Sequence, residues 1–261
     1  MSDHIKRSVF RDLTAPFRVL PDFLIIGTQK GGTTRFYRYL IENPMILPAA
    51  DKEIRFFHRD EIYKKGLLHY RKHFPLFFER YLPRLKYGNP ILIGEATPSY
   101  IFKPKVPERV HKVMPHLKLI AMLRDPVKRA YSQFQMASRL EFDKSDNFET
   151  AVRNDKYNHY LARGRYAQQL ERWFKFYPKE SFLILQSEKV FADEQGALDR
   201  IYNFLGVKNF HQKFNDKKFP PAISKGYEKM SAKFEAKLRK QFKAENEKLY
   251  DLIGERYDWP D

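Results

Sequence analysis

The stretch Asp22-Phe-Leu-Ile-Ile-Gly-Thr-Gln-Lys-Gly-Gly-Thr-Thr34 decides the fold. Its apolar run, 23–26, ends in a glycine-containing turn, and a helical pattern opens at Arg35. This is the order strand, phosphate-sized loop, helix N-terminus. Such a turn aims several backbone N–H groups and the positive end of a helix dipole at one anion. Gly31 and Gly32 allow close backbone approach, and Lys30 adds a mobile positive charge.

The loop is close to a Walker A motif but differs at one position. Gly27 and Gly32 keep the G-x-x-x-x-G spacing, and Thr34 stands at the Ser/Thr position. Thr33 occupies the lysine position, and the lysine has moved back to Lys30. A triphosphatase needs its lysine on the β/γ-phosphates and its Ser/Thr on Mg²⁺. The loop is therefore read as built for a different phosphate, with Thr28 and Gln29 leading into it.

The rest of the chain sets the frame. Its 261 residues suit one α/β domain, and a 43% apolar content with 23 Phe and 16 Tyr supplies an aromatic-rich core. With no cysteine there are no disulfides and no thiolate metal sites. The polar start, Met1-Ser-Asp-His-Ile-Lys-Arg7, has no apolar leader, and no run approaches the roughly 18 apolar residues of a membrane span. The expectation is a soluble cytoplasmic protein with neither membrane nor nucleic acid as partner. A net charge of +17 attracts anions, but the basic residues are spread along the chain rather than gathered in one tail.

Periodicity gives an irregular lead-in over 1–20 and one domain over 21–261. Strands are expected at 22–27, 91–94, 117–123 and 181–186, and residues 51–58 are expected near a second strand or turn. Helices are expected up to about 43, at 61–74, 107–114, 126–138, 166–176 and 194–205, and as a long amphipathic element over 228–253. Asp125 suits an N-cap and Pro126 the first helical position. Residues 139–158 read as a mobile polar insertion. Strands alternating with helices predict a P-loop-like α/β fold, a central parallel sheet with helices on both faces. Ligands then belong at the carboxyl ends of the strands, where the first loop, Glu95 and Arg124 fall.

A second dense motif is Leu123-Arg-Asp-Pro-Val-Lys-Arg-Ala-Tyr-Ser-Gln-Phe134. Arg124 leaves a buried strand, and Ser132 follows eight residues on, about two helical turns, so both can face one side. Arg offers a forked, permanent cation and Ser a neutral donor, a pair suited to a second phosphate.

The first loop, followed about 95 residues later by this second motif, resembles the PAPS-dependent sulfotransferases (PAPS is 3′-phosphoadenosine-5′-phosphosulfate). The likeness is nearest to the heparan-type carbohydrate sulfotransferases and runs from Pro21 to Pro260. It implies that the first loop (Thr28, Gln29, Lys30, Gly31, Gly32, Thr33 and Thr34) holds the 5′-phosphosulfate, and Arg124 with Ser132 the 3′-phosphate. It implies no metal. Ser224-Lys-Gly-Tyr227 resembles a later Lys-Gly loop that closes over the nucleotide, with Tyr227 where the family carries Arg. Gly164-Arg-Tyr-Ala167 and Trp173 match another family segment and put Tyr166 near the nucleotide. Tyr257-Asp-Trp259 matches a structural ending.

Sulfuryl transfer needs in-line geometry, charge neutralisation at the leaving oxygen and a base for the attacking hydroxyl. Lys30 fits the second role. Lys52-Glu-Ile-Arg-Phe-Phe-His58 matches the segment with the catalytic glutamate of heparan-type enzymes, which puts Glu53 in the base position. An ion pair with Lys52 or Arg55 is the other reading of Glu53, and His58 is the second candidate base. Arg55 replaces a family histidine. In Glu95-Ala-Thr-Pro-Ser-Tyr100, Ala96 replaces a family lysine near the acceptor. Glu53, Arg55, Glu95, Thr97 and Tyr100 are the expected acceptor contacts. These departures favour a small metabolite, as in natural-product or toxin tailoring, over a carbohydrate. The product nucleotide would be adenosine 3′,5′-bisphosphate (PAP). A Walker-type kinase or NTPase and a non-catalytic polyanion-binding module are the competing classes.

Overall fold

The computed structural model describes residues 3–87, 91–157, 159–212, 214 and 230–260. The chain runs α1 (Asp3–Leu13), β1 (Phe23–Gly27), α2 (Thr33–Leu40), β2 (Ile46–Pro48), α3 (Asp60–Tyr63), α4 (Leu67–Arg71), α5 (Phe77–Tyr87) and β3 (Leu92–Ala96). It continues with α6 (Val106–Val113), β4 (Lys118–Leu123), α7 (Pro126–Arg139), α8 (Phe148–Arg153), α9 (Tyr166–Phe174) and β5 (Phe182–Gln186). It closes with α10 (Ser187–Ala192), α11 (Glu194–Leu205) and α12 (Ala232–Ile253).

The five strands form one sheet in the order β2-β3-β1-β4-β5, and every pairing is parallel. β1 is buried along its whole length, and its side chains alternate between two cores. Leu24 and Ile26 pack with Leu119, Leu123 and Trp173, whereas Phe23 and Ile25 pack with Phe36, Ile120 and Leu198. A sheet covered on both faces needs strands that are apolar on both sides, which is why β1 and β4 read as continuous apolar runs. The expected P-loop-like α/β fold is the observed one. The chain leaves β1 toward β2 and β3 on one side and then crosses to β4 and β5 on the other. The direction of winding therefore changes beside β1, and a crevice opens at its carboxyl end.

Several boundaries differ from the sequence reading, each for a local reason. The second strand is Ile46–Pro48, paired with Leu92, Ile93 and Gly94, and residues 51–58, expected near a second strand or turn, make the turn. Glu53 and Arg55 have φ near +60°, which no strand tolerates. The single helix expected over 61–74 breaks into α3 and α4 at Gly66, whose φ is +82°. The lead-in over 1–20 carries α1, and α5 and α10 were not anticipated. The stretch 139–157, expected to be a mobile polar insertion, contains a helix. Asn147 caps α8, whose Phe148 and Ala151 are buried beside Phe134 and Phe234. Asp125 is the N-cap of α7 as expected, accepting from the N–H groups of Val127 (2.8 Å) and Lys128 (3.1 Å).

Candidate active site

The loop after β1 wraps the N-terminus of α2. Gly32 is the residue before the helix, in the left-handed region at φ +85°, and a Cβ there would meet Phe191 at 2.1 Å. A Cβ on Gly31 would meet the Met122 carbonyl at 2.6 Å. The glycines thus let the loop lie against β4 and α10. Ser187 at the start of α10 donates to the Gly31 carbonyl (3.0 Å), and Arg124 at the end of β4 donates to the Lys30 carbonyl (3.0 Å). Arg124 thereby braces the loop and keeps further N–H donors for a ligand.

One cavity of about 1140 Å³ opens here. Gln29, Lys30, Gly32, Thr33 and Thr34 line one end, and Arg124 and Ser132 line it as well. Lys128, Ser132 and Met136 recur at four-residue spacing on α7 and share one face of it. Burial, with Arg124, Arg139 and Arg129 nearby, lowers the pKa of Lys30. Within the lining, seven Lys and Arg face two carboxylates, Glu53 and Glu188. This donor set suits a ligand with anions at two ends.

Glu53 and Arg55 enter the same cavity from the turn after β2. Of five non-glycine residues with positive φ among those described, three (Lys30, Glu53 and Arg55) line it. Such conformations cost about 1–2 kcal/mol each and persist where the surroundings hold them, often at functional sites. The Glu53 N–H donates to the Ala96 carbonyl at 3.1 Å, which ties this turn to the end of β3. Both readings of Glu53 meet in one geometry. Lys52 donates to its Oε1 (3.1 Å) and Arg55 to its Oε2 (2.9 Å), yet the carboxylate remains in the cavity. Burial pushes the Glu53 carboxyl up, but Lys52 and Arg55 together outweigh it and leave its pKa below the usual value. The group is ionised at neutral pH, as a proton acceptor must be.

Other expected site residues fall elsewhere. His58 is not in the cavity lining; its Nδ1 lies 3.3 Å from Ser99 Oγ, and burial followed by Lys103 and Arg59 lowers its pKa to about 4. Glu95, Thr97 and Tyr100 are fully buried beneath the site and do not reach the cavity. Tyr70 OH and Thr97 Oγ1 (2.7 Å) both donate to Glu95. Burial raises the Glu95 pKa, and hydrogen bonds from Thr97 and Tyr70 counter it. Glu95 thus supports the turn from below. Tyr166 is also buried; its OH donates to the Arg124 carbonyl at 2.7 Å, so it positions Arg124 from behind the cavity. Thr28 is buried in the loop, its N–H donating to the Met122 carbonyl at 2.8 Å. Ser224, Lys225, Gly226 and Tyr227 lie outside the described residues.

Sequence reasoning missed Arg163, Arg38 and Lys128 in the cavity, and the wall of Met136, Leu140, Phe142 and Tyr157. A basic residue two positions before the Arg165-Tyr166 pair was the available signal for Arg163. Glu188 is a further unread support. It accepts from the Asp125 N–H and from Trp259 Nε1, both at 3.0 Å, which docks the chain's ending onto the start of α7.

Comparison with known proteins agrees with this construction. The sulfotransferase domain family matches residues 20–245. Heparan sulfate glucosamine 3-O-sulfotransferase 5 of Mus musculus is 29% identical over 269 residues, covering 92% of this chain and 74% of that protein. Heparan sulfate glucosamine 3-O-sulfotransferase 6 of Homo sapiens is 28% identical, covering 93% and 74%. The crystal structure of a sulfotransferase from Alicyclobacillus acidocaldarius superposes with a TM-score of 0.68 at 26% identity, covering 92% of this chain and 98% of that one. A parallel sheet with a glycine loop at the end of β1, an arginine at the end of β4 bonded to that loop, and a match over most of the chain lead to one assignment: this chain belongs to the sulfotransferase domain family, and it is a sulfotransferase.

Proposed function

We propose that the protein transfers the sulfuryl group of PAPS to a hydroxyl of a carbohydrate acceptor. The observation that carries this reading is the presence in one cavity of two anion-binding groups and an ionised carboxylate, Glu53, held by two cations. When bound, PAPS supplies an activated sulfuryl group with a phosphate as leaving group. Lys30, Thr33, Thr34 and the loop N–H groups suit the 5′ end, and Arg124 with Ser132 the 3′-phosphate. Glu53 takes the proton of the acceptor hydroxyl as its oxygen bonds to sulfur. Lys30 neutralises the charge that collects on the phosphate as the bridging S–O bond breaks.

The sequence departures at Arg55 and Ala96 favoured a small metabolite. Two observations favour a sugar instead. The two heparan sulfate glucosamine 3-O-sulfotransferases named above match nearly the whole of this chain. The cavity lining offers Arg55 and Arg163 as polar partners and the flat rings of Phe142 and Tyr157, a mix suited to a sugar's hydroxyls and its apolar ring faces. The test is transfer of radiolabelled sulfate from PAPS, in EDTA, to a panel of neutral and acidic oligosaccharides and of small phenols and alcohols. Label on the oligosaccharides supports the proposal. Label confined to small phenols and alcohols overturns the acceptor class, and nucleotide binding seen only with ATP and Mg²⁺ would overturn the donor.

A further inference from the structure

Fifteen large apolar side chains are exposed among the described residues, and they fall into two groups. Leu140, Phe142, Tyr157 and Phe191 line the cavity. The other eleven lie on residues 9–17, 67–68 and 77–85, and the cavity uses none of them. Contacts join the segments that carry them. Arg18 and Leu76 form an antiparallel bridge, so Phe17 and Phe77 stand opposite each other in register, 69% and 56% exposed. Arg71 Nε donates to the Arg18 carbonyl (2.6 Å), and Lys72 Nζ to Asp12 (2.9 Å), which holds α4 against the α1 end. On α5 the rings of Phe77 and Tyr81 touch at 4.5 Å, and Leu82 and Leu85 follow one turn on at 62% and 85% exposure. Soluble monomers rarely expose a contiguous apolar patch of this extent without a partner for it.

The surrounding charge selects the partner. Segments 3–18 and 64–87 carry eleven Lys and Arg against three Asp and Glu in sequence, of which Arg18 is buried and Lys72 and Arg80 pair with Asp12 and Asp22. Two copies meeting through this face would bring two like-signed fields together, which opposes association. An anionic lipid surface instead matches the charge and accepts the apolar side chains. Short amphipathic helices with a basic border lie in such an interface. No helix among the described residues is long and apolar enough to cross a membrane, and three short helices can rest on a bilayer surface. We infer that α1, α4 and α5 form a docking face for anionic membranes, which revises the expectation that no membrane takes part. The face is joined to the catalytic turn. Asp51 pairs with His73 (2.8 Å) and lies 3.8 Å from Arg11, two residues before Glu53.

The test is co-sedimentation of the full chain with sonicated vesicles of phosphatidylcholine alone and of phosphatidylcholine with about one-third phosphatidylglycerol. Binding at least tenfold stronger to the anionic vesicles, weakened by salt, is expected. The double substitution Leu82→Glu/Leu85→Glu should reduce it at least tenfold while PAP binding by calorimetry is unchanged. Phe17→Ser/Phe77→Ser provides a second pair should the first lose its circular-dichroism spectrum. Equal or absent binding to both vesicles overturns the proposal, as does binding that neither pair weakens. A doubled mass by light scattering that either pair abolishes would assign the face to a dimer and overturn it too.

Discussion

The two ends of the cavity were built under different constraints. The residues proposed for the nucleotide sit on backbone turns at fixed offsets: Lys30, Thr33 and Thr34 at the β1 loop, Arg124 at the end of β4, Ser132 two turns into α7. The residues proposed for the acceptor come from four separate segments: the turn carrying Glu53 and Arg55, the C-terminal part of α7, the stretch beyond it with Phe142 and Tyr157, and Arg163 before α9. The first end is a local motif that one short stretch of sequence specifies. The second exists only after long-range packing, and its chemistry is free to vary while the nucleotide end stays fixed.

The largest effect expected from breaking this division is at Glu53, where the two ends meet. Glu53→Gln should lower kcat by about 10²- to 10⁴-fold and leave PAP affinity unchanged, measured by initial rates and calorimetry. Full turnover in this variant would remove the base from the account. Lys30→Ala should cost about 10²- to 10³-fold in kcat and also weaken PAP, because the same ammonium serves the ground state and the leaving phosphate. At the acceptor end, Phe142→Ala and Tyr157→Ala should raise the acceptor KM by about 3- to 10-fold each without changing PAP affinity. A loss of PAP affinity equal to the loss in KM would move this wall to the nucleotide end.

A smaller effect concerns pH. Lys52 and Arg55 hold the Glu53 carboxyl below its usual pKa against the opposing pull of burial. Removing one cation leaves burial less opposed, so the pKa rises. In Lys52→Met the acid limb of kcat/KM should therefore move to higher pH, with the rate at its plateau little changed. An unmoved limb would mean that a group other than Glu53 sets it.

The same contrast explains what the sequence made legible. The glycine loop, the apolar β1 and β4 and the Asp125-Pro126 helix start are local signals, and each one is found where its pattern placed it. Every residue proposed for phosphate contact within the described part lines the cavity, except Thr28, Gly31 and Tyr166, which serve from beneath. The acceptor assignments fared worse because alternation along a chain does not tell which buried polar residue faces a cavity. Glu95 lies in the polar string Glu-Ala-Thr-Pro-Ser-Tyr, yet as part of β3 it turns inward to Tyr70 on α4, a contact 25 residues distant. Over 51–58 the alternation of polar and apolar residues leaves strand and turn open, and the left-handed backbone at Glu53 and Arg55 decides for the turn.

The central claim is that this cavity clamps one nucleotide by two separated phosphates. Calorimetry in EDTA, comparing PAP with adenosine 5′-phosphate on the native protein and on Arg124→Gln, tests it most directly. The account predicts micromolar PAP binding, about 10- to 100-fold weaker binding of adenosine 5′-phosphate, and loss of most of that difference in Arg124→Gln, since one buried charge-assisted pair is worth on the order of 2–3 kcal/mol. Equal affinity of the native protein for the two nucleotides would contradict it.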